Sequence, residues 1–507
     1  MLAVYAVLAT LVLAPVLSTA IPCLGDFLNH LARVHILRDM DANPALGKFY
    51  QSRWNIVPYY GMDIPVLAMA RFVGIYAAGR FFVAVCLLMP VAAAAALHFA
   101  WHRRIGFMPA FAFLLSYNYD LGLGFVCYVF SVCLGLMLFA AWILAEDWPL
   151  WARGVTFPIL SALVYMAHSF AFAAYGLMVA GWEIGRLFAA PRDVRTIARA
   201  WTAAGMQVVI PAILVLLLHT DATFGGARIT RYGSLTDRIG AFLSPAYFPG
   251  GSPALLACIL LFPMLAALLA GRPRLPGRAV PILIAMFLAA CAAPHMLLNI
   301  WGVDLRLPLV GAVLFIGAAT LPPIAGRTRF ILLGALIALV AWRCVSASVL
   351  LHALDRQTAA MREVVDTLPQ AARVLVVDAP EDAPDRLAPR AIIQHMCMVA
   401  VIDRDAFLPT IFAGTTPLAL QPSVQNAASQ GVNPLTFAQL QEGYLRPAPP
   451  GDVPAYKDGA QMYWLGWPKK FDYVLVMNFG GAIPPLPPVL QHVAGNRIAQ
   501  LYKIGAS

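Results

Sequence analysis

Long apolar runs recur along this chain from its first residues to about residue 351, and then stop. A helix needs roughly 20 apolar residues to cross the hydrocarbon of a bilayer. The runs at 2–22, 78–101, 105–117, 121–144, 154–168, 169–186, 201–219, 252–270, 279–295, 307–323 and 330–351 approach or reach that length. Backbone groups in lipid must be bonded within the protein, so each run is expected to be helical. Composition agrees with lipid as the outer solvent: 61% of residues are hydrophobic and 12% charged, against about 45–50% and 25% in soluble domains. The expected fold is a membrane all-α bundle of about eleven transmembrane helices, followed by a small C-terminal α/β domain.

The arginines test this count. Arg103 and Arg104, Arg153, Arg186 with Arg192, Arg195 and Arg199, then Arg272, Arg274 and Arg278, then Arg327 and Arg329, all fall on one side if every run crosses. By the positive-inside rule that side is cytoplasmic. The N-terminus is then inside and everything after residue 352 outside, which suits a bacterial inner-membrane protein with a periplasmic C-terminal domain. Residues 1–22 lack a basic leader and are read as a retained first span. In a soluble protein a net charge of +10 would suggest nucleic acid. In a membrane bundle it is read by loop side, and no nucleic-acid partner is expected. Cys86, Cys127, Cys133, Cys258, Cys291 and Cys344 lie in apolar runs as small core residues. No pair of cysteines has metal-ligand spacing, and no metal or other cofactor is expected.

Two outside loops are long. Loop 23–77 opens with residues 26–38, where Phe27, Leu31, Val34 and Leu37 share one helical face; the expectation is an amphipathic helix lying on the membrane surface. Loop 220–251 carries Arg228, Arg231, Asp237 and Arg238. Arginine outside runs against the usual bias, and an anionic ligand is one reason for it. The chain therefore divides into a membrane part, 1–352, and an external part, 353–507. In the latter, 372–378, 471–478 and 497–504 read as strands, and segments near 356–367, 388–400 and 436–445 as helices. No glycine-rich phosphate loop follows any of these strands, so nothing supports nucleotide binding.

Four groups of residues could carry chemistry. Asp26 and His30 are four apart and Arg33 follows one turn later, so one helix presents a carboxylate, an imidazole and a guanidinium. That set could act as a base and hold an anion; alternatively Asp26 caps the helix. Tyr117, Asn118, Tyr119 and Asp120 form an outside turn, either an aromatic anchor or a site in which Asn118 and Asp120 line the acceptor or sugar. Asp304 and Arg306 either pair with each other, or Arg306 joins Arg228 or Arg231 on a phosphate, for which the planar guanidinium fork is suited. His168, His219, His295 and His352 stand at outside span ends, as amphipathic tips or as ligands of a divalent metal, for which no pair has the spacing within one helix; His168 is also a candidate substrate-binding residue.

A first span followed directly by an outside loop with an early acid, here DFLNHLAR from Asp26, resembles the polytopic GT-C glycosyltransferase superfamily. Within it the likeness is to polyprenyl-phosphate-sugar-dependent enzymes such as protein mannosyltransferases and aminoarabinose transferases. The odd number of spans, the second long outside loop and the external C-terminal part fit the same resemblance. It implies transfer of a sugar from a polyprenyl-phosphate carrier to an envelope glycan, lipid or protein acceptor on the outer face. It also implies that Asp26 is the catalytic base. Many members have a second acid directly after the first; Phe27 occupies that place here. A transporter or flippase for a lipid-linked saccharide is the rival reading, and a non-catalytic scaffold subunit is another. Transporters place ionisable groups at the membrane midplane, whereas the polar residues of this sequence gather at outer span ends.

Overall fold

The computed structural model describes residues 2–54, 58–189, 193–217, 229–298, 300–324, 326–414, 417–428, 433–447 and 462–505. Among them, six helices are long and apolar enough to cross a membrane: Ile75–His102, Val126–Leu144, Leu150–Ala167, Val194–Leu217, Pro253–Ala270 and Gly326–Val365. Leu2–Leu17 and Ala279–Ala292 are shorter and apolar, and Ser169–Ala189 and Val303–Ala318 pack beside them. The helix Pro253–Ala270 indicates what surrounds the bundle. Leu255, Ile259, Phe262 and Ala266 recur at helical spacing and are buried, while Leu261, Met264 and Leu268 on the other side are exposed. A helix that is apolar on its exposed face as well as its buried one has hydrocarbon for a solvent. The chain is a multi-pass membrane protein.

The run at 105–117 departs from the helical expectation. Its centre, Met108–Leu115, is a 3-10 helix, which at about 2.0 Å per residue is too short to span hydrocarbon by itself. It is packed among Leu2–Leu17, Ile75–His102, Val303–Ala318 and Gly326–Val365, and every residue from Met108 to Asn118 is buried. The Tyr117 hydroxyl donates to Val12 O at 2.9 Å. Irregular backbone is tolerated at membrane depth where protein rather than lipid encloses it.

The helix expected on the membrane surface is also placed differently. Phe27–Asp39 is buried from Phe27 through Leu37, on its polar as well as its apolar side. It is covered by Tyr60–Met69 and Ile75–His102 on one side and by Met396–Met398 and Val399–Arg404 on the other. Its polar residues are therefore paired rather than solvated: Arg33 with Asp63 at 2.7 Å, and His35 with Asp405 at 2.9 Å.

Two short strands stitch the chain's ends together. β1 (Tyr50–Ser52) lies in the first outer loop, and β2 (Met296–Leu297) with β3 (Ile300–Trp301) forms a small hairpin. β4 (Val374–Asp378), β5 (Leu418–Leu420), β6 (Tyr473–Met477), β7 (Leu490–Gly495) and β8 (Ala499–Ile504) follow. β1 pairs with β5, Tyr50 opposite Leu420. β4, β6, β7 and β8 form one sheet in the order β4-β6-β8-β7, with β4 and β6 parallel. β4, β6 and β8 match the strands read from sequence; β7, an edge strand with largely exposed residues, was not among them. The expected boundary at residue 352 falls in mid-helix, because Gly326–Val365 continues for 40 residues from the bundle into the sheet region. The segment expected as one helix over 388–400 is instead Arg390–Ile393, a 3-10 turn Met396–Met398, and Val399–Arg404.

Candidate active site

Two loops are zipped together at the end of the first helix. The N–H groups of Gly25 and Asp26 donate to Gly122 O and Leu123 O at 3.1 and 2.9 Å. Glycine is required for this approach. A Cβ at Gly25 would lie 2.0 Å from Leu123 O, and one at Gly124, where φ is +76°, would lie 2.3 Å from Asp26 N. This contact brings the loop bearing Asp26 against the loop bearing Asp120.

Asp26 precedes the first residue of Phe27–Asp39, yet its side chain makes no capping hydrogen bond. The carboxylate is 23% exposed, and Oδ1 stands 3.4 Å from His395 Nε2. His395 itself is fully buried. Beside it, the His30 ring packs 5.0 Å from Phe412 and 5.9 Å from Tyr59. Burial, then the charges of Arg33, His395 and His168, hold His30 well below the usual imidazole range, so it is neutral. Tyr59 continues the line to His168, 5.0 Å away, and the Tyr128 ring lies 5.5 Å beyond. The Tyr59 hydroxyl is close enough to Asp26, Arg33 and Arg306 to feel all three charges, and burial pushes it up to about 12. It remains a neutral donor.

Arg306 closes the far side. Its guanidinium lies 4.7 Å from the Phe170 ring, 5.0 Å from Phe125 and 5.6 Å from Tyr128. The Tyr128 hydroxyl donates to Arg306 O at 2.6 Å and fixes the backbone there. Aromatic faces attract the cation and leave its N–H groups to point elsewhere; one donates to Trp301 O at 3.4 Å. Asp120 is buried, and burial pushes its carboxyl up to about 7 despite the Arg306 charge. His30 Nδ1, His168 Nε2, Arg306 Nε and both carboxylate oxygens of Asp120 are buried without a protein partner. Buried polar atoms are almost always paired, so this cluster offers partners to a polar ligand.

Other residues expected at a site are placed in structural roles. The Asn118 side chain accepts from Leu121 N and donates to Leu115 O, both at 2.9 Å, and so builds the turn that carries Asp120. Asp304 does not pair with Arg306. It bonds His295 Nδ1 at 3.1 Å and latches the β2–β3 hairpin, whose Gly302 N–H donates to His295 O. Arg231 joins that hairpin through paired backbone bonds to Met296, both 2.9 Å. Arg33 is in its ion pair with Asp63, with both side chains at most 1% exposed. Arg228 lies outside the described residues. Among the described residues no three His, Cys, Asp or Glu side chains gather as metal ligands would.

Sequence reasoning missed His395, Phe412, Tyr59, Asp63 and Tyr128. Asp63 had a signal, being a second acid in the same outer loop as Arg33. His395 had little, since QHMCM reads as buried core. Arg343, inside the last apolar run, was missed as well; it donates to Ala246 O at 2.7 Å and to Tyr117 O, tying two outer loops to the long helix.

No family model matches the chain, and neither does any curated protein sequence. Solved structures do match in fold. The crystal structure of ArnT from Cupriavidus metallidurans bound to undecaprenyl phosphate aligns with a TM-score of 0.53 at 11% identity, covering 99% of this chain and 97% of that one. The same protein in its apo state gives 0.54 at 10% identity. Arabinofuranosyltransferase AftD from Mycobacteria gives 0.48 at 14% identity, and this chain spans 40% of its length. The chain shares its fold with ArnT.

Proposed function

We propose that the chain is a membrane glycosyltransferase that moves a sugar from a polyprenyl-phosphate carrier to an acceptor hydroxyl on an envelope glycan, lipid or protein. The observation that carries this is an uncapped, part-exposed carboxylate, Asp26, and a buried guanidinium, Arg306, both close enough to Tyr59 for their charges to act on its hydroxyl. The ArnT structure, which holds undecaprenyl phosphate in the same fold, supports the donor class.

In this reading Asp26 takes the proton of the acceptor hydroxyl as its oxygen attacks the anomeric carbon. The bond from that carbon to the phosphate oxygen breaks, and the carrier leaves with the electron pair. Arg306, held by its three aromatic rings, faces the negative charge released there; preorganised charge of this kind stabilises a transition state without reorganisation. Tyr59 donates from between the two, and neutral His30 and His168 offer hydrogen bonds to sugar hydroxyls. Asp120 adds a carboxyl that titrates near neutrality, and Arg231 stands on the adjoining hairpin as a second phosphate contact. We place this site at the periplasmic face of a bacterial inner membrane, with eleven crossings, the N-terminus cytoplasmic and residues 353–507 outside. The arginine pattern supports that orientation.

The test is direct. Purified full-length protein given a polyprenyl-phosphate-linked sugar and a lipid or glycan acceptor should release polyprenyl phosphate and form product. Arg306→Gln should lose donor binding by about 2–5 kcal/mol, the scale for breaking one side of a buried charge pair. A protein that binds and moves the donor without ever transferring its sugar would instead be a transporter.

A further inference from the structure

Asn29 decides which nitrogen of His395 carries the hydrogen. The Phe412 N–H donates to Asn29 Oδ1 at 2.8 Å. A backbone N–H can only donate, so this end of the amide is its oxygen. The other end, Nδ2, faces Thr410 O at 2.7 Å and His395 Nδ1 at 3.1 Å. An amide nitrogen has two hydrogens and no lone pair to share, and both hydrogens are used. His395 Nδ1 must therefore be the acceptor, and the ring's hydrogen sits on Nε2. That nitrogen faces Asp26 Oδ1 at 3.4 Å. At that distance the two make no hydrogen bond, and Nε2 has no other protein partner; catalytic contacts are often this long before a substrate binds. Asn29 and His395 are both fully buried, and the Met398 N–H donates to His395 O, closing the turn that presents the ring.

We propose that His395 is a positioning residue for Asp26: with substrate bound, its Nε2–H holds one carboxylate oxygen, so that the other is aimed at the acceptor. The chain from Phe412 N through Asn29 and His395 to Asp26 then runs from the C-terminal segment to the first outer loop. Residues more than 350 apart in sequence complete one site. This rests on the reading of Asp26 as the base. When Asp26 takes a proton on the oxygen facing the acceptor, the other oxygen keeps accepting from Nε2, and no proton needs to move through the imidazole.

Two measurements on the full-length protein test it. The first needs no turnover. In a spectrum of ¹⁵N-histidine-labelled protein, assigned by difference against His395→Gln, His395 should carry its hydrogen on Nε2, and Asp26→Asn should shift that resonance. A hydrogen on Nδ1, or an Nε2 signal blind to Asp26→Asn, would overturn the proposal. The second compares two amides. A glutamine side chain reaches the position of Nε2, whereas an asparagine stops at Nδ1 and can meet only Asn29. His395→Asn should lower kcat by about 100-fold, the scale of a misplaced catalytic group, at unchanged KM for the lipid donor. His395→Gln should stay within a few-fold of the parent. Equal losses in both would make His395 a packing residue. A parent protein with no transferase activity would refute the proposed function while the spectrum still decided the His395–Asp26 pair.

Discussion

Arg33 belongs to the cluster that the sequence offers as a substrate site, yet it is locked in an ion pair with Asp63 at 2.7 Å, with side-chain exposures of 0% and 1%. The two readings differ in a measurable way. If the pair is structural, removing either partner leaves the other charge buried and unmatched, which costs about 3–5 kcal/mol. Replacing both with apolar residues of similar volume is often close to neutral. Asp63→Leu and Arg33→Met should therefore each lower the melting temperature of the full-length protein by several degrees, at roughly 2–4 °C per kcal/mol for a large domain. The double variant should recover most of that loss. The cycle should give a coupling energy of at least about 2 kcal/mol, well above the scatter of additive pairs. The assay is thermal unfolding in detergent, followed by lipid-donor KM for the double variant. Single variants that melt with the parent would refute the burial argument. A double variant that is stable but no longer binds donor would return Arg33 to the substrate site.

Two further outcomes follow from other parts of the structure. Asp120 has its folded pKa raised from 3.8 to about 7, so the folded state keeps its proton over a range where the unfolded chain has lost it; stability should fall as pH rises from about 4 to about 7 and then level off. Asp120→Asn should therefore melt with the parent near pH 4 and above it at pH 7.5, and the same offset at both would rule out titration as the cause. The eleven-crossing orientation predicts that a periplasm-active reporter gives signal when fused after residue 355 and none after residue 275; signal at both would end it.

The bundle was legible because lipid imposes a simple rule: a run long and apolar enough to cross should be a helix, and six described helices, among them Ile75–His102 and Gly326–Val365, follow it. The 105–117 run broke the rule, since burial among four helices relieves its backbone of the need for full α-helical bonding. The place of Asp26 directly after the first span was legible, and the structure sets its loop against the one that carries Asp120. The helix after it was misjudged because its apolar face, read alone, implied a polar face in water, whereas the C-terminal segment covers that face and supplies Asp405 to its His35. His395 and Phe412 were not legible for the same reason. Their role comes from a tertiary contact between the two ends of the chain, and no local pattern records it. Gly25 and Gly124 are intermediate: each is visible as a glycine, but the close loop approach that requires it appears only in three dimensions.

Asp26 as the base is tested most directly by its amide. Because its side chain makes no capping bond, Asp26→Asn removes no helix-end interaction and should melt with the parent protein. A positioned base contributes typically about 10²–10⁴-fold to rate. With a polyprenyl-phosphate-linked sugar, an acceptor and a melting curve run alongside, Asp26→Asn should bind donor as the parent does and transfer sugar at least about 100-fold more slowly. An Asp26→Asn protein that melts normally and turns over at close to the parental rate would contradict the account.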